Sequence, residues 1–153
     1  MTVQVNPAIF CDDIRYEASG KLVLVGVYME RLVPKKLPVG LRLAIFSRVY
    51  GLSVGKHAMV AEFWGDGEVK VRAEAEIDLH IADVGMSIPL GPVAFQLAKA
   101  GPILVKFSFD DGQPLDGGRL DVLDPASQEA RDRRELLSRS HPQAVSPPEP
   151  SAA

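Results

Sequence analysis

The chain has 153 residues, of which 46% are hydrophobic and 24% charged, with a formal net charge of -3. This is a globular composition, long enough to bury one core without a metal or a disulfide, and length alone predicts a single domain. The slightly acidic balance argues against a dedicated nucleic-acid binder and against a polybasic membrane-surface protein. The longest apolar run, Leu22 to Met29, falls well short of the roughly 20 residues of a spanning helix. The single cysteine, Cys11, excludes an intramolecular disulfide framework. The opening MTVQVNPAIFCDDIR lacks a basic stretch followed by an apolar one, so no signal peptide is expected and a cytoplasmic location is.

Taken in order, the first 123 residues predict strands. A short strand is expected over Ala8–Asp12, and the apolar Leu22–Met29 suits a central strand buried on both faces. Leu41–Tyr50 and Lys56–Trp64 follow. The clearest pattern runs from Glu68 to Leu79, where Val69, Val71, Ala73, Ala75, Ile77 and Leu79 alternate with charged residues. A period of two sends one row inward and one to water. Ile103–Phe109 alternates likewise, and Arg119–Val122 is expected as the last strand. Gly65-Asp66-Gly67 and Asp110-Asp111-Gly112-Gln113 read as hairpin turns. Seven or eight short strands with frequent turns predict an all-β fold, an antiparallel β-sandwich, with a barrel as the alternative.

The composition changes near Asp124. Residues 124–153 hold no Phe, Tyr, Trp or Ile and five of the twelve prolines. A helix is expected from about 125 to 139, with Asp124 as its cap and Pro125 at its first position. Its apolar face is thin: Ala126, Ala130, Leu136 and Leu137. A Pro-rich, disordered tail is expected beyond it. The division is therefore a sandwich domain over 1–123 and a helix with a tail over 124–153.

The N-terminal third carries a denser signature: Cys11-Asp12-Asp13-Ile14-Arg15, Glu17, Gly20-Lys21, then Leu24, Gly26 and Tyr28, and Leu37-Pro38. It resembles a family of uncharacterised bacterial proteins with the pattern C-D-D-[IV]-R-x-E, G-K, L-x-G-x-Y. The later Gly101, Phe107 and Asp111-Gly112 are similar to that family's C-terminal hairpin. The resemblance implies a small β-sandwich and supplies no catalytic residues.

The polar block Asp12, Asp13, Arg15 and Glu17 is the first candidate binding site. Alternation would put Cys11, Asp13 and Arg15 on one face, where Arg15 can clamp an anion bidentately. The competing, favoured reading is an Asp–Arg pair that fixes how the chain turns at Ser19-Gly20. Cys11 as a nucleophile needs a base, for which His57 and His80 are the candidates; a core cysteine is the stronger expectation. No zinc-ligand spacing is present, and Gly51-Leu52-Ser53-Val54-Gly55-Lys56 is not a phosphate loop, because it has three residues between its glycines and His57 where Ser or Thr is required. Asp66, Asp83, Asp110, Asp111 and Asp116 sit at predicted strand ends, so calcium is an alternative if they converge. Of Phe63 and Trp64, on opposite faces of one strand, one is expected in the core, and Trp64 is a candidate contact residue. The expectation is a non-catalytic binding module for a protein partner or a second copy, acting through loops or an open sheet edge, with no cofactor, metal, nucleic acid or membrane assigned. An enzyme built around Cys11, Asp13 and Arg15 is the rival.

Overall fold

The computed structural model describes residues 2–82 and 84–140. Eleven strands and one helix follow in chain order: β1 (Gln4–Val5), β2 (Ile9–Cys11), β3 (Asp13–Tyr16), β4 (Leu22–Val25), β5 (Arg31–Leu32), β6 (Val39–Tyr50), β7 (Gly55–Gly65), β8 (Glu68–Leu79), β9 (Met86–Leu97), β10 (Gly101–Phe109), β11 (Leu115–Val122) and α1 (Gln128–Arg139). The fold is an all-β sandwich. One sheet is centred on β6, with β9 on one side and the short β1 and β2 sharing the other. The second is five-stranded, in the order β5-β11-β10-β7-β8. Every pairing is antiparallel except β5 with β11. A separate hairpin joins β3 to β4.

The core lies between the two large sheets. Leu43, Ile45 and Val49 of β6 and Ile88, Phe95 and Leu97 of β9 form one side of it. Met59, Ala61 and Phe63 of β7, Ile103, Val105 and Phe107 of β10, and Leu120 of β11 form the other. These residues recur at alternate positions, as a period of two requires when one face of a strand is buried. Phe63 and Phe95 meet across the layer with ring centroids 6.3 Å apart. Gly117 makes room for Phe107: a Cβ there would lie 2.5 Å from the ring.

The Glu68–Leu79 strand matches its sequence expectation, and β6, β7, β10 and β11 contain the strands expected for them. Three differences have clear physical causes. Leu22–Met29 is not a central strand. β4 ends at Val25 because Gly26 turns the chain at φ 65°, and Met29 is 72% exposed. The strand β9 was hidden by Pro89, Gly91 and Pro92. It borders only β6, so a missing N–H is tolerated on its outer side. Gly91 is needed there because a Cβ would sit 2.8 Å from Ala44 Cβ, beside the register shift between Leu43 and Ile45. The third difference is the β7–β8 turn, which has two residues. Asp66 and Gly67 both have positive φ, 52° and 82°, the combination that matches the twist of a tight hairpin.

The helix starts at Gln128, and its cap is Ser127, whose Oγ accepts from Ala130 N at 3.2 Å; Asp124 instead closes a turn onto Ala126 N at 2.9 Å. Ala130 is buried, whereas Leu136 is 68% exposed. Polar contacts hold α1 against the β5 segment: Arg31 pairs with Glu129, Arg133 donates to Met29 O at 3.0 Å, and Arg134 donates to Pro34 O at 3.2 Å. The tail expected after the helix lies outside the described residues. No helix among the described residues is long and apolar enough to cross a membrane.

Because Phe107 is fully buried against both layers, Phe107→Ala is expected to cost about 3–5 kcal/mol of unfolding free energy in urea titration. A loss under about 1 kcal/mol would contradict this placement of the core.

Candidate functional site

The N-terminal block is divided by a bend at Asp12 rather than carried on one strand. Alternation therefore does not continue through it, and Cys11, Asp13 and Arg15 do not form one face. Cys11 is fully buried in β2, opposite Ala44, and its thiol donates to Ala44 O at 3.7 Å. Burial, reinforced by the Asp12 charge, pushes the thiol above its usual range and keeps it protonated. Asp13 and Arg15 lie on the β3–β4 hairpin, where Arg15 Nε meets Asp13 Oδ2 at 3.2 Å with its side chain 69% exposed. Asp13 also accepts from Ile14 N at 3.0 Å. Glu17 shapes the turn: its N–H donates to Lys21 O, its carbonyl accepts from Gly20 N, and its carboxylate accepts from Ser19 Oγ.

Asp12 does join distant parts of the chain. Its N–H donates to Val25 O at 2.9 Å, and its carboxylate accepts from Tyr28 Oη at 2.5 Å. Burial and this carboxylate together push the Tyr28 phenol well above its usual range. Gly26 is required beside them, since a Cβ there would lie 2.0 Å from Asp12 Oδ2. Asp12 thus fastens the small hairpin to the strand that precedes it.

Sequence reasoning missed the strongest titratable pair. His57 Nδ1 lies 2.5 Å from Asp110 Oδ2, and His57 Nε2 lies 2.8 Å from Ser53 O. Asp110 Oδ1 accepts from Ala58 N at 2.9 Å. Both ring nitrogens face oxygen acceptors, a geometry satisfied in full only by the doubly protonated ring. The hydrogen bond to Asp110, followed by that to Ser53 O, raises the His57 pKa above 6.5; the bond to His57 lowers that of Asp110. The pair lines a pocket of about 450 Å³ together with Val3, Leu52 and Phe109. No local signal links two residues 53 positions apart; only the β7–β10 register does.

Among the described residues the loop aspartates do not gather into a metal-binding group. Asp66 follows the far end of β7 from His57 and Asp110. It accepts from Ala98 N at 2.9 Å, Lys99 N at 3.3 Å and Lys70 Nζ at 3.0 Å, bonds that depress its pKa. Asp116 caps Gly118 N, and Asp83 lies outside the described residues. Trp64 is half-buried rather than free. Its Nε1–H donates to Glu62 at 3.2 Å, and Lys106 Nζ sits 4.4 Å from the ring centroid. Phe63 is the core member of the two.

The remaining feature is the rim of the wide sheet. Among the described residues β8 pairs with β7 alone, leaving its other edge unpaired. The facing sheet is narrower and leaves the inward row of β8 incompletely covered. Val71, Ala73, Ile77 and Leu79 are only partly buried, and Ala75 is exposed. An apolar slot of about 330 Å³ opens there, lined by Met59, Ala75, Ile77, Met86, Ile88 and Leu90. No protein-family model matches the chain, and no curated protein matches it significantly.

Two expectations follow from the geometry. A group with a raised folded-state pKa stabilises below its unfolded value and loses that contribution as pH rises through the folded one. The His57 contribution is therefore complete below 6.5 and fades above it, while that of Asp110 fades in acid, below its usual 3.8. The melting-temperature gap between wild type and His57→Gln should shrink from about pH 6 to about pH 9. A gap that widens over that range would contradict the assignment. For Cys11, iodoacetamide labelling of native protein should be no faster than global unfolding; rapid labelling would show an accessible thiolate.

Proposed function

We propose that the protein is a cytoplasmic, non-catalytic binding module that makes its contact through the open β8 edge and the apolar slot beside it. The observation that carries this reading is the β8 edge. Val71–Leu79 contains neither proline nor glycine and has its outer backbone groups unpaired, while its inward apolar row is only half covered. An unpaired edge offers a ready template for strand addition, with backbone bonds for affinity and alternate side chains for selectivity. The groups an enzyme would need are committed elsewhere. Cys11 is sealed in the core, His57 is held by two acceptors, and Arg15 is engaged by Asp13. Affiliation with the bacterial family whose N-terminal pattern the chain shares belongs to this proposal and brings no site residues.

The experiment is affinity capture from native lysate with tagged wild type and with Ala75→Pro and Glu76→Pro. Of two adjacent strand residues, one turns its N–H to β7 and the other outward. The proline variant that retains wild-type melting has lost an outward donor, and it should lose the partner captured by wild type. Capture unchanged by that variant, or no specific partner of any kind including an untagged copy, overturns the proposal.

A further inference from the structure

The charge order along β8 identifies what its edge accepts. The outward row of the regular segment reads Arg72, Glu74, Glu76, Asp78, positive at one end and negative at the other. Laid against its own reverse, that order can set the single positive residue, Arg72, against an acidic one. We infer that β8 pairs antiparallel with β8 of a second copy of this chain, about a two-fold axis through Ala73; this rests on the reading of β8 as the contact edge.

The register follows from the faces and the charges. A slip by one residue would set the charged row against the apolar row, so only same-face registers remain. Centring the axis on Arg72 opposes Arg72 to itself, and centring it on Glu74 opposes Glu74 to itself. Centring it on Ala75 opposes Glu74 to Glu76. With Ala73 at the centre, Arg72 of each copy faces Glu74 of the other, and opposite charges across a ladder stabilise where like charges destabilise. On the inward face Val71 then covers the exposed Ala75 of the second copy, and the small Ala73 meets itself. Within one chain Arg72 already meets Glu74 at 2.8 Å and Glu62 at 3.3 Å, so the pairing exchanges these exposed bridges for bridges across the ladder, and neighbouring charges have partners of their own. Glu76 binds Lys56 at 2.7 Å, and Lys70 binds Glu68 at 2.7 Å and Asp66 at 3.0 Å. Lys70 is also the unmatched residue where the β7 register steps from Phe63↔Val71 to Trp64↔Val69, so this bulge sets one end of the pairing segment.

The other long edge is unsuited to the role. β9 carries Pro89 and Pro92, which cannot donate to an added strand.

The test is sedimentation velocity of the purified full chain at concentrations from about 1 to about 100 µM, the range in which an interface of under roughly 1,200 Å² dissociates measurably. Wild type should pass from monomer to dimer. Arg72→Glu and Glu74→Arg should each weaken the dimer at least about tenfold, because each turns two attractive pairs into repulsive ones. The double variant Arg72→Glu/Glu74→Arg should restore it. As an independent readout, Ala73→Cys should form a disulfide-linked dimer on mild oxidation, since facing residues in a ladder lie about 4.5–5.5 Å apart. Ser138→Cys, on the exposed helix, should not. A wild type that stays monomeric throughout, or a dimer indifferent to the charge reversals, overturns the inference. In the first case a different partner lost by the proline variant would leave the edge-binding reading standing.

Discussion

The contact between two sheets of unequal width governs this molecule. Leu43 and Ile45 on one layer and Phe63, Ile103 and Phe107 on the other are fully buried, at alternate positions of their strands, although in β6 the intervening Ala44 is buried as well. Burial of this kind supplies most of the stabilisation in a domain of this size. It also dictates where alternation has to be interrupted. Register shifts occur at Phe63/Trp64, Val105/Lys106 and Leu43/Ile45, and all three lie within or beside the interlayer rows. Each re-aims the following side chain without breaking the sheet.

The narrower sheet then determines what is left over. β6 lies at its centre, so the strands opposite it, β10 and β7, are buried from end to end on their inner faces. The outermost strand, β8, extends past the cover. The polar groups follow the same geometry. Those near the core are matched, as with Ser47 Oγ on Asn6 O at 2.6 Å, and among the described residues no buried side-chain nitrogen or oxygen lacks a partner. Asp12 with Tyr28, Asp66 with the Ala98 and Lys99 amides, and His57 with Asp110 all sit where one element is tied to another across a gap in the sequence. They act as fasteners at the ends and sides of the sandwich.

Much of the architecture was legible because binary alternation survives over Glu68–Leu79 and Ile103–Phe109 without interruption by Gly or Pro. β9 was not legible, since its two prolines and Gly91 are tolerated for reasons of neighbourhood that no window of sequence contains. β4 was overextended because the apolar content of Leu22–Met29 continues past the residue, Gly26, that ends the strand. The candidate residues were visible but their roles were not. Asp12 was grouped with Asp13 and Arg15 by adjacency, whereas its partner is Tyr28, and His57 found Asp110 only through strand pairing. Of Phe63 and Trp64, expected on opposite faces of one strand, Phe63 is the core residue, and a lysine from the neighbouring strand lies over the Trp64 ring.

The two rims of the wide sheet are treated in opposite ways. At one end β5 is short and parallel, and α1 grips the chain on both sides of it through Arg133 and Arg134. At the other end β8 is long and bare. A slab with one sealed margin and one open margin cannot grow by repetition: once two open margins have met, only sealed ones face outward. Under the inferred β8 pairing, assembly through this sheet stops at two copies, with the β5 and α1 margins facing outward.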